Sequence, residues 1–232
     1  MQDAVMEYRR IGALAGCVLS AAAGAQQPEA AGTLPEVRVI QRTPLPGFEL
    51  PRSLYPGHAQ QASDLEIERT GAGTLPEFMN RRLPGVTVNE VQGSPYQLDL
   101  NYRGQRLSPL LGSPQGLSLW FDGVRINQPF GDVVSWDLLP EAAVAGLTLV
   151  PGSNPLYGLN TLGGALVLTT KSGLSHPGTH GEFALGEAGR KHLSLGHGWR
   201  WGDGWHGYLA LTGFEENGWR DQSDGSLANL YA

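Results

Sequence analysis

Apolar and polar residues alternate near the end of the chain but gather into short blocks along its middle, and the two patterns predict different structures. In Lys191–Trp201 one face carries Leu193, Leu195, Trp199 and Trp201, and the other His192, Ser194, Gly196, Gly198 and Arg200. A period of two belongs to an extended strand with unlike faces. Trp205–Phe214 alternates less cleanly, with Leu209 and Leu211 opposite Tyr208 and Thr212, and Gly202-Asp203-Gly204 makes the turn between the two runs. An apolar face for lipid, a polar face for a lumen and aromatic residues at one end are what a membrane barrel strand requires.

The middle of the chain predicts strands at Val86–Val91, Leu98–Arg103, Leu117–Phe121, Val124–Ile126, Leu147–Val150 and Ala165–Thr170, separated by segments rich in Gly, Pro and Asn. Asp122-Gly123 suits a tight hairpin, because both residues tolerate a positive φ. The stretch between Val150 and Ala165 must be an irregular turn, since Pro lacks an amide donor and Gly loses the most backbone entropy in a helix. Loops are expected at Gln92–Gln97, Gln105–Gly116 and Asn127–Asp132. A helical pattern runs over Ser63–Arg82, broken near Gly71-Ala72-Gly73. Thr74 and Glu77 form a capping-box pattern there, and Leu75, Phe78, Met79 and Leu83 supply a core-facing stripe that ends before Pro84-Gly85. Trp136–Ala145 is expected to form a short helix.

The first 25 residues read as an export signal: Arg9-Arg10, an apolar stretch from Ile11 and the small residues Ala23-Gly24-Ala25 before a cleavage point. That stretch falls short of the ~20 residues a spanning helix needs. Residues 26–56 are rich in Pro, Ala and Gly and predict a flexible segment carrying one β-prone island, Pro35–Gln41.

Composition narrows the class. There are 33 glycines and only 16% charged residues, which points to turn-rich β structure. The net charge of −6, without any basic run, excludes a nucleic-acid partner. Cys17 is the single cysteine and lies in the export signal, so the mature chain has no disulfide and no thiolate metal site. Enzyme signals fail on context: residues 202–207 fit a dinucleotide fingerprint but sit in a turn with no helix after it. His176 and His180 share a Gly-Pro loop and lack zinc-ligand spacing, and there is no nucleophile elbow. No catalytic residue, no metal and no cofactor is assigned.

Three stretches then carry a resemblance. Residues 150–171, with Leu156-Tyr157-Gly158, Gly163-Gly164 and a strand ending in Thr170-Lys171, resemble the closing segment of the plug domain of TonB-dependent outer-membrane receptors. Residues 117–127 resemble that family's strand, Asp-Gly turn and return strand, and residues 98–104 its strand ending in Arg-Gly. The order is the family's own. The resemblance implies an α+β plug domain, a small mixed sheet with short helices, over residues 57–174, followed from 178 by the first antiparallel strands of a 22-stranded transmembrane β-barrel. It implies that Glu36, Val37, Arg38, Val39 and Ile40 form the TonB box, which the periplasmic TonB protein captures as an added strand. It places substrate contacts at the plug's outer tip, where Gln92, Tyr96, Arg106, Gln115, Gln128 and Phe130 are the candidates. Arg103 matches an arginine that latches the plug to the barrel wall, while the partner arginine before a Gly-Pro is missing at Val150-Pro151-Gly152-Ser153.

Residues 178–232 hold about three strands of barrel length, too few to close, so the chain reads as the N-terminal fragment of a longer receptor without a preceding signalling module. The implied partners are TonB, outer-membrane lipid and a small chelate such as a ferric siderophore. A glycan or cobalamin receptor, a soluble periplasmic plug-like binding module and an exported hydrolase are the alternatives.

Overall fold

The computed structural model describes residues 58–91, 93–202, 204–218 and 221–232, with backbone alone at 40–41 and 50–51. The export signal and the island from Glu36 to Val39 lie outside the described residues. Ile40–Gln41 (β1) pairs antiparallel with Leu50–Pro51 (β2).

The segment expected to form the plug, called the plug below, begins with an edge strand, Gln60–Ser63 (β3), followed by helix α1, Asp64–Arg69. Ser63 starts α1 with a full capping box: its Oγ accepts from the Glu66 amide, and Glu66 Oε2 accepts from the Ser63 amide at 2.8 Å. After the break at Gly71–Gly73, helix α2 spans Leu75–Arg82. Thr74 caps it by accepting from the Glu77 amide, but Glu77 Oε2 bonds the Gly73 amide instead of that of Thr74, so the expected box is half formed.

Strands β4 (Val86–Glu90), β5 (Leu98–Tyr102) and β6 (Gln105–Leu107) form an antiparallel meander. The expected loop from Gln105 to Gly116 therefore opens with a strand, because the Arg103-Gly104 turn folds the chain straight back onto β5. Strands β7 (Leu117–Phe121), β8 (Val124–Arg125), β9 (Val144–Pro151) and β10 (Gly164–Thr170) join β3 in a mixed sheet of order β3-β9-β10-β7-β8. Only β10 and β7 run parallel in it. The Asp122-Gly123 hairpin turn has φ of 46° and 83°, as a primed turn requires. Trp136–Ala145 is not one helix. It forms two 3-10 turns, Trp136–Leu138 and Glu141–Ala143, on either side of Pro140, which cannot continue a helical hydrogen-bond ladder.

The plug core lies between the two sheets. Phe78 and Met79 from α2, Leu100 and Tyr102 from β5, Leu117 and Leu119 from β7, Leu149 from β9 and Leu166 and Leu168 from β10 are all buried together. Gly163-Gly164 is fixed by close approach. A Cβ on Gly164 would sit 2.0 Å from the Val150 carbonyl oxygen, and its φ is 135°; a Cβ on Gly163 would sit 2.5 Å from that of Gln105.

Beyond the plug, strands β11 (Gly178–Leu185), β12 (Lys191–Trp201), β13 (Trp205–Glu216) and β14 (Gly225–Tyr231) form an antiparallel wall in sequence order. Four strands stand where about three were expected, since β11 and β14 are shorter than a full span. The alternation in β13 is cleaner than its sequence suggested: Tyr208, Ala210, Thr212 and Phe214 are buried against the plug, while Leu209 and Leu211 face outward. Cross-strand pairs Phe183–Leu193 and Leu195–Leu211–Leu230 extend that outward apolar face across all four strands.

Candidate functional site

At one end of the plug-wall interface an open cleft of about 560 Å³ lies between the plug loop after β4 and the wall loop that joins β13 to β14. Glu90, Val91, Ser94 and Pro95 line it from the plug, and Phe214, Glu216, Gln222 and Asp224 from the wall. Tyr96 lies at the joint between the two: it is 4% exposed and meets Phe214 edge-on at 4.9 Å. Burial pushes the Tyr96 phenol up from its ordinary range, the Glu141 carboxyl adds to this, and Arg190 opposes it. Arg190 sits over the Phe214 ring at 5.9 Å and pairs with Glu216 at 2.6 Å, which neutralises one of the cleft's acids.

A second tip is built from three other loops. Asn127 Oδ1 accepts from the Leu119 amide at 2.7 Å and its Nδ2 donates to the Leu117 and Asp132 carbonyls, which shapes the Asn127–Asp132 loop. Arg125 holds Asp132 at 3.1 Å, and Asn160 donates to the other Asp132 oxygen. Phe130 on this loop is 78% exposed, and Leu111, Leu159 and Leu162 are exposed on other loops of the plug.

The expected site residues divide between these places. Gln92 lies outside the described residues, between two residues that line the cleft. Tyr96 forms the cleft's joint with the wall and does not stand free. Arg106 lies on β6 with Nη1 3.9 Å from the Asp99 carboxylate, and Gln115 spends both ends of its amide on the Ser108 backbone, at 2.9 and 3.3 Å. Arg106 and Gln115 are paired in an isolated parallel β-bridge, with the Gly116 amide donating to the Arg106 carbonyl, and neither lines the cleft. Gln128 donates to Ser135 Oγ at 2.8 Å, beside the exposed Phe130. Arg103 occupies the β5–β6 turn with φ 52°, its guanidinium 5.1 Å from the Tyr102 ring centre. Among the described residues it makes no ion pair. Ile40 pairs with Pro51 in the β1–β2 ladder.

Sequence reasoning missed the wall's share of the cleft. Phe214 and Glu216 lie on the inward parity of β13, a signal that is readable once Leu209 and Leu211 are assigned to the outward face. It also missed Glu141, whose Oε1 accepts from the Leu75 amide at 3.0 Å, at the start of α2. Burial holds that carboxyl up at about 8; the Leu75 hydrogen bond opposes the shift and nearby Glu77 adds to it. Among the described residues no cluster has the composition of a metal site.

Comparison with known proteins agrees with this architecture. Residues 52–165 match the family model of the TonB-dependent Receptor Plug Domain. The vitamin B12 transporter BtuB of Vibrio cholerae is 32% identical over 134 residues, which is 57% of this chain and 21% of the transporter. The chain thus spans about a fifth of the length of the curated relatives it matches. Among solved structures, the siderophore receptor PiuA from Acinetobacter baumannii superposes with a TM-score of 0.55 at 21% identity, covering 72% of this chain and 22% of that one. The ferric-catecholate import receptor Fiu from E. coli gives 0.54 at 18% identity, over 72% and 22%. At such identities the likeness speaks for the fold alone. With a matched plug sequence and a plug sheet of the same fold, residues 52–165 belong to the plug domain family of TonB-dependent receptors.

Proposed function

We propose that this chain supplies the plug, over residues 57–174, and the first wall strands, from 178, of an outer-membrane receptor that takes up a scarce metal chelate with energy delivered through TonB. The observation that carries the reading is the two-faced wall. One face buries Tyr208, Ala210, Thr212 and Phe214 against the plug, and the other presents Leu193, Leu195, Leu209 and Leu211 outward. A soluble plug-like module has no use for that outward face, whereas lipid does. The substrate docks at the outer tips, in the cleft beside Tyr96 and Phe214 and on the exposed Phe130, and transport follows when TonB engages the island at residues 36–40 and pulls. This is binding and gating chemistry, so no catalytic group is required. Export precedes assembly, with the signal cleaved after Ala25.

The chelate is a ferric siderophore or cobalamin. Cobalamin gains weight because the curated relative at 32% identity is named a vitamin B12 transporter. The test is accumulation of labelled cobalamin and of a panel of labelled ferric siderophores in cells lacking their own receptors, with and without TonB. TonB-dependent accumulation of one of them is expected. Recovery of the protein in the soluble periplasmic fraction with no accumulation would overturn the reading.

A further inference from the structure

The cleft between the loop after β4 and the β13–β14 loop carries charge of one sign. Glu90 enters it from the plug, Glu216 and Asp224 enter it from the wall, and among the described residues no Lys, Arg or His lines it. Val91, Pro95 and Phe214 supply its apolar surface.

The base beside the cleft is held out of it. Arg190 closes the β11–β12 loop, where its amide donates to the Glu187 carbonyl and its carbonyl accepts from the Gly186 amide. Ala188 and Gly189, at φ 53° and 68°, make the tight turn this requires, and the Asn217 amide ties that turn to the start of the β13–β14 loop by donating to the Ala188 carbonyl. The guanidinium is then fixed on three sides. Its Nε donates to Glu216 Oε2 at 2.6 Å, it lies 5.9 Å from the Phe214 ring centre, and its Nη1 stands 3.8 Å from where a Cβ on Gly73 of the plug would be. The Glu216 side chain is 12% exposed against 41% for Arg190, so the carboxylate is the fixed partner and the guanidinium the movable one.

Glu216 is thereby neutralised, but the other two acids are not. Glu90 and Asp224 are exposed and, among the described residues, make no ion pair and no side-chain hydrogen bond. With one on each side of an open cleft of about 560 Å³, they give it a negative potential that a concave surface concentrates. A chelate with carboxylates or catecholates on its outside brings like charge into that potential. One that presents amides, ammonium groups or neutral hydroxamates does not.

We propose that Glu216 sets the charge selectivity of this cleft: by holding Arg190 on the wall it leaves Glu90 and Asp224 unopposed, so that an uncharged or cationic chelate is accepted and an anionic one refused. That the cleft takes a chelate at all rests on the uptake reading above; the placing of the charges does not.

The experiment measures equilibrium binding to the membrane-embedded receptor that carries this chain, with two matched pairs of probes. One pair is cobalamin and a cobalamin whose corrin amides are hydrolysed to carboxylates; the other is an uncharged ferric trihydroxamate and a trianionic ferric tricatecholate. The readout is the ratio of dissociation constants within a pair on one preparation, which a partly unfolded fraction does not alter. The parent is expected to prefer the less negative probe by about tenfold in dilute salt, and by less as salt screens the carboxylates. Glu216→Gln removes one carboxylate and frees the guanidinium, so the ratio should fall to about one. Adding Arg190→Gln removes the freed cation and should restore the preference, which a merely structural role for the pair would not do. Arg220, by sequence the other base of the β13–β14 loop, lies outside the described residues, and Arg220→Gln serves as the comparison. Equal affinities within each pair for the parent, an unchanged ratio in Glu216→Gln, or a larger effect from Arg220→Gln would overturn the proposal and leave the uptake reading standing. A parent that binds no member of either pair would remove the uptake reading, and the proposal with it.

Discussion

Tyr96 and Phe214 meet edge-on at 4.9 Å across the boundary between plug and wall, and among the described residues the buried Tyr96 hydroxyl has no hydrogen-bond partner. The ring and the hydroxyl therefore do separate things. Tyr96→Phe should be neutral or slightly stabilising, because it removes a buried polar atom that gains nothing. Tyr96→Ala should cost about 3 kcal/mol through lost packing. Thermal unfolding of the two variants side by side checks this; equal losses would mean the hydroxyl has a partner that matters.

Glu141 makes stability depend on pH. Its folded pKa, about 8, lies above the ordinary carboxyl value of 4.5, so the folded state holds a proton that the unfolded chain releases. Stability should then be unaffected below about pH 4.5, fall as pH rises toward 8, and level off above that. Glu141→Gln keeps an acceptor for the Leu75 amide and removes the charge. It should abolish the decline and stabilise the protein by about 1 to 2 kcal/mol at pH 8.5, with little change at pH 4. Melting temperatures of parent and variant across that range decide it, and parallel curves would refute the assignment.

Gly164→Ala should prevent folding or cost more than about 3 kcal/mol, since the new methyl meets the Val150 carbonyl at 2.0 Å and φ is 135°. Gly93→Ala is the control. Its φ is 70°, but nothing lies within 4 Å of the added carbon, so the cost should be about 1 kcal/mol. Expression yield and thermal unfolding compare the two.

What the sequence disclosed follows from how local each signal is. The β7–β8 hairpin and the whole of β12 are readable from period and turn chemistry, because their determinants lie within a few residues. Pro140 and the Ser63–Glu66 pair are equally local signals, yet the expectation of one helix over 136–145 and of a capping box at Thr74 and Glu77 passed over both. The fates of Tyr96 and Gln115 are not readable in this way. One is decided by Phe214, 118 positions later, and the other by a loop that folds its amide onto the Ser108 backbone. Strand β6 was hidden for a different reason: three residues after a turn carry too little pattern to separate a strand from a loop.

The site candidates consequently make unequal predictions. Phe130 is exposed at the second tip and does little for the fold, so Phe130→Ala should lower substrate affinity about tenfold while leaving thermal stability within about 0.5 kcal/mol. Gln115→Ala should do the reverse, costing about 1 to 2 kcal/mol by freeing the Ser108 amide and carbonyl, with affinity little changed. Equilibrium binding and melting on the same preparations separate the two, and a Phe130→Ala protein that binds normally would remove that tip from the site.

The last prediction concerns the tether. If TonB takes the island at 36–40 as an added strand, the contact is made by backbone amides, and side-chain identity matters less than the donors do. Val39→Pro deletes one donor in the middle of the island and should abolish uptake while leaving surface binding of substrate intact. Thr33→Pro, outside the island in a segment already rich in proline, should leave both unchanged. Loss of uptake in both variants would point to tether length or export, and loss in neither would place the TonB contact elsewhere in the chain. Only a difference between the two positions supports strand addition at the island, because both substitutions bring the same residue and the same conformational restriction.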